Sequence, residues 1–158
     1  MRFVKKKTVF LVSLLSLAAA SSVVYSHCQI PCGIYDDDAR FKMIAEHITT
    51  IEKSIVSINQ LSANPKPDYN QIVRWVDNKE KHADAASDII TYYFLTQRLK
   101  PVANNNPQEY QKYIRQLTVL HEMLVHFMNA KQSADEAIAE KLRSLLGRFE
   151  NEYFLSRR

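Results

Sequence analysis

Apolar residues recur at steps of three and four along most of the chain, which is the spacing of one face of an α-helix. The first stripe begins at Phe41 and ends at Leu61, and the second begins near Tyr69 and ends near Leu99. The third and fourth stripes contain Ile114, Leu117, Leu120, Leu124, Phe127 and Met128, and then Ile138, Leu142, Leu145, Phe149 and Tyr153. We interpret these stripes as core positions of four helices.

Short polar segments separate the four stripes. Residues 62–67 and 100–107 contain prolines and break the pattern, and a turn is predicted around residues 132–134. Helices joined by such short connections, without the alternation typical of strands, predict an all-α, up-down-up-down four-helix bundle. The polar run Asp77–Asp84 inside the second helix is interpreted as a solvated face, with contact to a metal-binding segment of a neighbouring subunit as the alternative.

The first 26 residues differ from the rest. Met1–Lys7 is basic, Thr8–Ala20 is almost wholly apolar, and Ser21–Ser26 is small or mildly polar. This order is that of a secretory signal peptide. The apolar run is shorter than the roughly 20 residues that a membrane-spanning helix needs. We therefore predict a cleaved leader.

The leader contains side chains that suit a signal peptidase. Val24 and Ser26 are small enough for the third and first positions before a cut, and cleavage after Ser26 leaves His27 as the first residue. Cleavage after Ala20 is also chemically possible. The favoured cut divides the chain into a leader of residues 1–26 and a mature domain of residues 27–158, exported to a periplasm or an equivalent lumen.

Removal of the leader changes the charge of the protein. The leader carries Arg2, Lys5, Lys6 and Lys7, so 17 of the 21 Lys and Arg residues remain, against 17 Asp and Glu residues. The mature chain therefore has a formal charge of zero, and the basic character belongs to the leader. A nucleic-acid-binding function, which needs a basic patch on the working domain, is not expected.

Both cysteines of the protein, Cys28 and Cys32, lie beside the predicted new terminus. A disulfide is the ordinary interpretation in an exported protein. However, a bridge across so short a loop would add little stability and would tie nothing to the rest of the fold. Acylation of Cys28 is disfavoured because bulky His27 would precede it. We therefore favour two thiolates with a chemical function.

His27, once it leads the chain, offers a free amine and an imidazole to a metal ion. Cys28 adds a backbone amide nitrogen and a thiolate, and Cys32 adds a second thiolate. Tetragonal donation from nitrogen and sulfur suits Ni(II) or Cu(II), whereas zinc prefers a tetrahedral set. Pro31 and Gly33 favour the sharp turn that would bring Cys32 back to the same ion.

The string HCQIPCGIYD at residues 27–36 closely resembles the nickel hook of the nickel superoxide dismutase family. The resemblance implies one nickel ion per chain, held by His27, Cys28 and Cys32. It also implies a cis peptide at Pro31 and a homohexamer of four-helix bundles. The segment Tyr92–Phe94 resembles a family patch near the metal. Tyr35 and Tyr93 would then be the catalytic residues that order water or superoxide without ligating the metal.

The resemblance has departures. Gln29 stands where the family often has aspartate, and no proline follows Asp36. The acid and the arginine that steady the axial imidazole in the family have no clear counterparts, and the candidates are Glu46, Arg74 and Glu80. No chemistry is assigned to the histidines of the helices, which are His47, His82, His121 and His126.

Two functions remain open on the sequence. The first is a superoxide dismutase that converts superoxide to oxygen and hydrogen peroxide by Ni(II)/Ni(III) cycling, after a leader-processing peptidase has exposed His27. The second is an exported helical module that binds nickel or copper without turnover. Pro31, Gly33 and Tyr35 are unneeded for metal buffering and therefore favour the enzyme.

Overall fold

Four α-helices and one π-helical segment make up nearly all of the described chain. The computed structural model describes residue 31 and residues 33–154. The predictions for the leader and for His27, Cys28 and Cys32 fall outside the described residues. The helices are α1 (Asp37–Ser62), α2 (Tyr69–Asp88), α3 (Pro107–Gln132) and α4 (Ala137–Phe154), and the π segment (Ile89–Arg98) continues α2 directly.

The helices pack in a ring that follows the order of the chain. Helix α1 packs against α2, α2 against α3, α3 against α4, and α4 returns to α1. The short connections make consecutive helices antiparallel, and no strand occurs among the described residues. This arrangement confirms the predicted up-down-up-down bundle. Among those residues, no helix is long and apolar enough to cross a membrane.

The core consists largely of the predicted stripes. The prediction is wrong at Ile114 and Met128 of the third stripe, which are exposed, because α3 turns the face that carries Val119, Met123 and Phe127 towards the core. The α1 stripe is buried at Phe41, Ile44, Ile48, Ile51, Ile55 and Ile58. At the end where α1 begins, the core becomes aromatic. The ring of Phe41 lies 5.0 Å from that of Phe94, 5.3 Å from that of Phe149 and 5.6 Å from that of Tyr153. Clustered rings of this kind fix the start of α1 against the π segment and α4.

Side-chain caps set where three of the helices begin. The carboxylate of Asp36 accepts a hydrogen bond from the amide of Ala39 at 2.9 Å, and Asp68 and Asn106 cap α2 and α3 in the same way. Such caps satisfy amides that have no partner within the helix. The cap at Asp36 places Tyr35 immediately outside the first turn of α1.

The polar run in α2 is not wholly solvated, because Lys79 is only 3% exposed. Its ammonium donates hydrogen bonds to the carbonyl oxygens of Ala130, Lys131 (2.9 Å) and Ser133 (3.0 Å). These carbonyls belong to the last turn of α3 and to its C-cap residue Ser133, where the helix dipole is negative and carbonyls lack partners within the helix. The interpretation of the whole run as a solvated face is therefore wrong at Lys79.

Replacing Lys79 with Met should destabilise the protein by about 2 kcal/mol, because three carbonyls lose a charged donor. Urea unfolding of the purified protein measures this loss. Lys81→Met is the matched control, since Lys81 is exposed and pairs only with Asp77 among the contacts of the described residues. That variant should stay within about 0.5 kcal/mol of the parent. Equal stability of the two variants would contradict a capping function.

A histidine pair joins α1 to α2. The Nδ1 atoms of His47 and His82 are 2.8 Å apart, and the ring centroids are separated by 5.0 Å. At this distance one nitrogen carries a proton and the other accepts it, so at least one ring of the pair is neutral. Burial lowers the pKa of His47, the nearby His82 lowers it further, and Glu46 on the same helix opposes the shift.

The lowered pKa of His47 predicts a loss of stability in mild acid. The unfolded chain binds a proton at His47 more readily than the folded chain does. The stability of the folded protein that depends on neutral His47 is therefore fully present above about pH 6.5 and decreases as the pH falls below that value. Urea unfolding at several pH values should therefore give a shallower acid decline for His47→Gln than for the parent. His121→Gln should keep the parental slope, because His121 is exposed on α3. Parallel slopes for all three proteins would refute this assignment.

Candidate metal centre

The predicted ligands His27, Cys28 and Cys32 lie outside the described residues. Whether they suit a nickel ion is therefore judged from the chemistry of the atoms that they offer. Thiolate, amine, amide and imidazole donors form a set that nickel in a tetragonal site accepts. Gly33, which follows Cys32 directly, has a φ of 81°. This left-handed conformation favours glycine, and the sequence analysis required such a turn here. In the described part of the chain, no group of three or more His, Cys, Asp or Glu side chains could hold a metal.

The structure brings together the two tyrosines that the sequence analysis selected. The rings of Tyr35 and Tyr93 meet edge to face, with centroids 5.8 Å apart. Tyr93 is only 3% exposed, whereas Tyr35 is 41% exposed. Tyr93 therefore belongs to the packed interior and Tyr35 to the surface above it. In sequence, Tyr35 follows Cys32 by three residues.

A carboxylate that the sequence analysis did not select organises this region. Asp37 accepts hydrogen bonds at Oδ1 from the hydroxyl of Tyr93 (2.6 Å) and from Nε of Arg98 (2.8 Å). Its Oδ2 accepts from Nη2 of Arg98 (2.7 Å) and from the hydroxyl of Tyr153 (3.0 Å). The ion pair is largely buried, with side chains 9% exposed at Asp37 and 18% at Arg98. We call Tyr35, Asp37, Tyr93, Arg98 and Tyr153 the tyrosine cluster.

Arg98 links the buried carboxylate to the surface tyrosine. Its guanidinium carbon lies 4.4 Å from the centre of the Tyr35 ring, while its nitrogens bind Asp37 in a bidentate manner. A guanidinium over an aromatic face is attracted by the ring electrons. A second guanidinium, that of Arg40, lies 5.2 Å from the centre of the Tyr93 ring. Both tyrosine rings are thus held by cations as well as by each other.

Two members of the tyrosine cluster, Tyr93 and Arg98, have pKa values raised above their usual ranges. Burial raises the pKa of Tyr93 well above its usual range, and the hydrogen bond and the charge of Asp37 raise it further. The hydrogen bond to Asp37 likewise raises the pKa of Arg98. Tyr93 is therefore a neutral phenol that donates to Asp37, and Arg98 is a cation. The phenol proton of Tyr93 is held by the carboxylate and is a poor source of protons for a reaction.

The π segment explains how Tyr93 and Arg98 reach one carboxylate. Residues five apart on an α-helix point about 140° away from each other, since each residue turns by about 100°. In a π-helix, each backbone N–H donates a hydrogen bond to the carbonyl five residues earlier. This wider turn brings residues five apart nearer to the same face. The amide of Leu99, for example, donates to the carbonyl of Phe94 at 2.8 Å. A π segment often marks a functional site, and this one supplies two members of the tyrosine cluster.

The acid and arginine candidates from the sequence analysis lie elsewhere along the helices. Glu46 is exposed beside His47, and Glu80 is partly buried next to Lys79. Arg74 lines a surface cavity of about 250 Å³ together with Gln71, Trp75 and Asn78. The acid–arginine pair that the structure places beside Tyr35 is Asp37–Arg98. Its one sequence signal is that Asp37 occupies the position after Asp36 where the family often has proline.

Comparisons with known proteins agree on one family. The model of the family described as nickel-containing superoxide dismutase matches residues 22–157. A solved crystal structure of a tyrosine-to-phenylalanine mutant of NiSOD superposes with a TM-score of 0.59 at 21% sequence identity, covering 83% of this chain and 98% of that one. At this identity the likeness shows the fold alone. The search of curated proteins found no match.

Proposed function

Because this chain belongs to the nickel-containing superoxide dismutase family, we propose that its nickel is held by a hook formed by His27, Cys28 and Cys32 after the leader is removed. The family match confirms the sequence prediction of a nickel-dependent enzyme that disproportionates superoxide, and it gives no support to a metal-binding module without turnover. The observation that carries the ligand assignment is the string HCQIPC at residues 27–32, which contains both cysteines of the protein.

The proposed hook supplies different donors from each residue. His27 contributes its amine and its imidazole, Cys28 its amide nitrogen and its sulfur, and Cys32 its sulfur. Bound in such an anionic set, nickel supplies a one-electron Ni(II)/Ni(III) couple for converting superoxide to oxygen and hydrogen peroxide. Pro31 and Gly33 shape the turn, and the positive φ of Gly33 is consistent with that function.

Tyr35 and Tyr93 have different functions in this proposal. Tyr35 is exposed and close in sequence to Cys32, so its phenol orders water or superoxide at the entrance to the metal. The hydroxyl of Tyr93 donates a hydrogen bond to Asp37 at 2.6 Å, so Tyr93 acts by holding the Tyr35 ring, with the two ring centroids 5.8 Å apart. Arg98 also packs against Tyr35, with its guanidinium carbon 4.4 Å from the centre of the ring. The tyrosine cluster therefore fixes one exposed phenol in a defined orientation.

The leader and the assembly are part of the same proposal. Residues 1–26 direct the chain to a periplasm or an equivalent lumen, and a leader-processing peptidase cuts after Ser26. The mature chain assembles as a homohexamer, as the family resemblance implies. Exposed apolar side chains one helical turn apart, Tyr69 and Val73 on α2, support burial against another subunit. Light scattering of the mature protein should give six times the mass of one chain, and a monomer would contradict the assembly.

Intact mass spectrometry of the exported protein tests the proposed hook most directly. We expect a chain that begins at His27, with both cysteines reduced and one nickel per chain by elemental analysis. Only cleavage after Ser26 creates the amine that the hook requires. The precursor retaining residues 1–26 is the control, and it should bind nickel far more weakly. A mature chain that begins after Ala20, or one whose two sulfurs form a disulfide while active, would refute the proposal.

A further inference from the structure

The His47–His82 pair takes no part in the tyrosine cluster or in the proposed hook. Both rings are partly buried on the adjacent helices α1 and α2, and their Nδ1 atoms face each other at 2.8 Å. Glu46, the residue before His47, is close enough for its charge to act on the imidazole. No chemistry is predicted from the sequence for either histidine, and the two residues are 35 positions apart in the chain.

The distance between the two nitrogens suits a metal ion as well as a proton. Metal–nitrogen bonds to imidazole are about 2.0–2.1 Å long. Two nitrogens 2.8 Å apart at that bond length subtend roughly 90° at the ion, the angle between adjacent ligands in square-planar and octahedral sites. A tetrahedral ion such as zinc would separate them by about 3.3 Å. The spacing of the two nitrogens therefore matches Cu(II) or Ni(II) better than Zn(II). Because the ring centroids are 5.0 Å apart, the rings meet nearly end to end, and both imidazoles must tilt for their lone pairs to meet at one ion.

The backbone on both sides holds the pair in place. Ile48 follows His47 and is fully buried, and Ala83 follows His82 and is fully buried. The two helices pack along their length, so the separation of the rings follows from the core and not from loop conformation. Ligands mounted on rigid elements lose little conformational freedom when an ion binds. The carboxylate of Glu46 adds a negative charge next to the same position.

We propose that His47 and His82 form a second metal site, which binds one tetragonal divalent ion through the two Nδ1 atoms, with Cu(II) bound most strongly. The ion replaces the proton shared between the rings, and that proton moves through solvent to Nε2 of the same imidazole. Both rings remain neutral, and no electron is transferred. The preference for Cu(II) follows from the general order of affinities of divalent first-row metals for nitrogen donors.

A copper titration tests this second site in a chain that lacks the hook side chains. The background is the mature chain carrying His27→Ala, Cys28→Ser and Cys32→Ser, so the result does not depend on the proposed hook. We expect one Cu(II) whose electron paramagnetic resonance spectrum shows coupling to two imidazole nitrogens. His47→Gln or His82→Gln in this background should weaken binding by more than roughly 100-fold, because each removes a direct ligand and not merely a supporting hydrogen bond. His121→Gln, on α3, should leave binding unchanged.

A second measurement covers the case in which the histidine variants fail to fold, which circular dichroism would detect. In the variant that carries His27→Ala, Cys28→Ser and Cys32→Ser and keeps both helix histidines, copper binding should weaken as the pH falls below about 6.5. The reason is that protons compete with the ion for the imidazoles. The nickel-loaded parent protein should also bind one further Cu(II) with the same spectrum. The proposal is overturned if no copper with two-imidazole coupling binds at about 100 µM, or if folded His47→Gln and His82→Gln bind it as tightly as His121→Gln.

Discussion

One extra residue in front of His27 is expected to abolish nickel-dependent superoxide removal. The extra residue converts the terminal amine of His27 into an amide nitrogen and moves the new amine away from the two sulfurs. Loss of a direct ligand should lower the nickel-dependent rate by more than the roughly 100-fold that loss of a supporting contact costs. The rate of superoxide decay per nickel-treated chain measures this effect.

The matched control for this prediction is one extra residue after Arg158, which changes the length of the chain equally and should leave activity intact. His27→Ala separates the two donors of the first residue, because it keeps the amine and removes the imidazole. We expect that variant to retain nickel and to lose most of its turnover, since the imidazole of His27 would stabilise the oxidised metal. Full activity in the chain extended before His27 would show that the amine is not a ligand.

Replacing Asp37 with Ala is expected to have the largest effect on stability, about 3 kcal/mol or more. The change leaves the guanidinium of Arg98 largely buried without its carboxylate and removes the acceptor of the hydroxyls of Tyr93 and Tyr153. Removing one partner of a buried ion pair typically costs about 3–5 kcal/mol, because the other charge stays desolvated. Urea unfolding measures the loss of unfolding free energy.

Asp38→Ala is the control for the helix-dipole contribution, since Asp38 lies in the same first turn of α1 and is exposed. It should cost no more than about 1 kcal/mol. Tyr153→Phe removes the hydrogen bond from this hydroxyl to Asp37 and should cost about 1 kcal/mol. If Asp37→Ala and Asp38→Ala lose the same free energy, the buried ion pair does not stabilise the fold.

The milder variant Asp37→Asn separates stability from the chemistry of Tyr93. Burial keeps the pKa of Tyr93 above its usual range in this variant, but the raising effects of the carboxylate are removed. The pKa of Tyr93 should therefore fall while staying above 10.0. Titration of tyrosinate absorbance, with Tyr93→Phe to identify the signal, measures this change. Superoxide turnover should decrease in parallel if the cluster orients Tyr35.

The sequence by itself determined where the helices form and which family the chain belongs to. Periodicity at steps of three and four is a local property, and burying one face of each helix is the way to remove such stripes from water. The α1 stripe and the stripe ending at Tyr153 are accordingly buried in the bundle. The string at residues 27–32 predicts nitrogen and sulfur donors, because a histidine and two cysteines have little other reason to stand together beside a predicted new terminus. The family match shows a nickel enzyme, and the assignment of these three residues as ligands stays a prediction.

Only the tertiary structure decided which polar side chains meet. Asp37 joins Arg98 across 61 positions and Tyr153 across 116, and His47 meets His82 across 35. Contacts over such separations depend on how the helices pack. The π segment that continues α2 also changes the direction in which its own side chains point. Lys79 looked solvated because a charged residue is rarely buried, and its burial depends on carbonyls of another helix. The spacing of hydrophobic residues is a local property and determines where helices form. The partners of polar side chains depend on how the helices pack against each other, and a local sequence pattern carries no information about that packing.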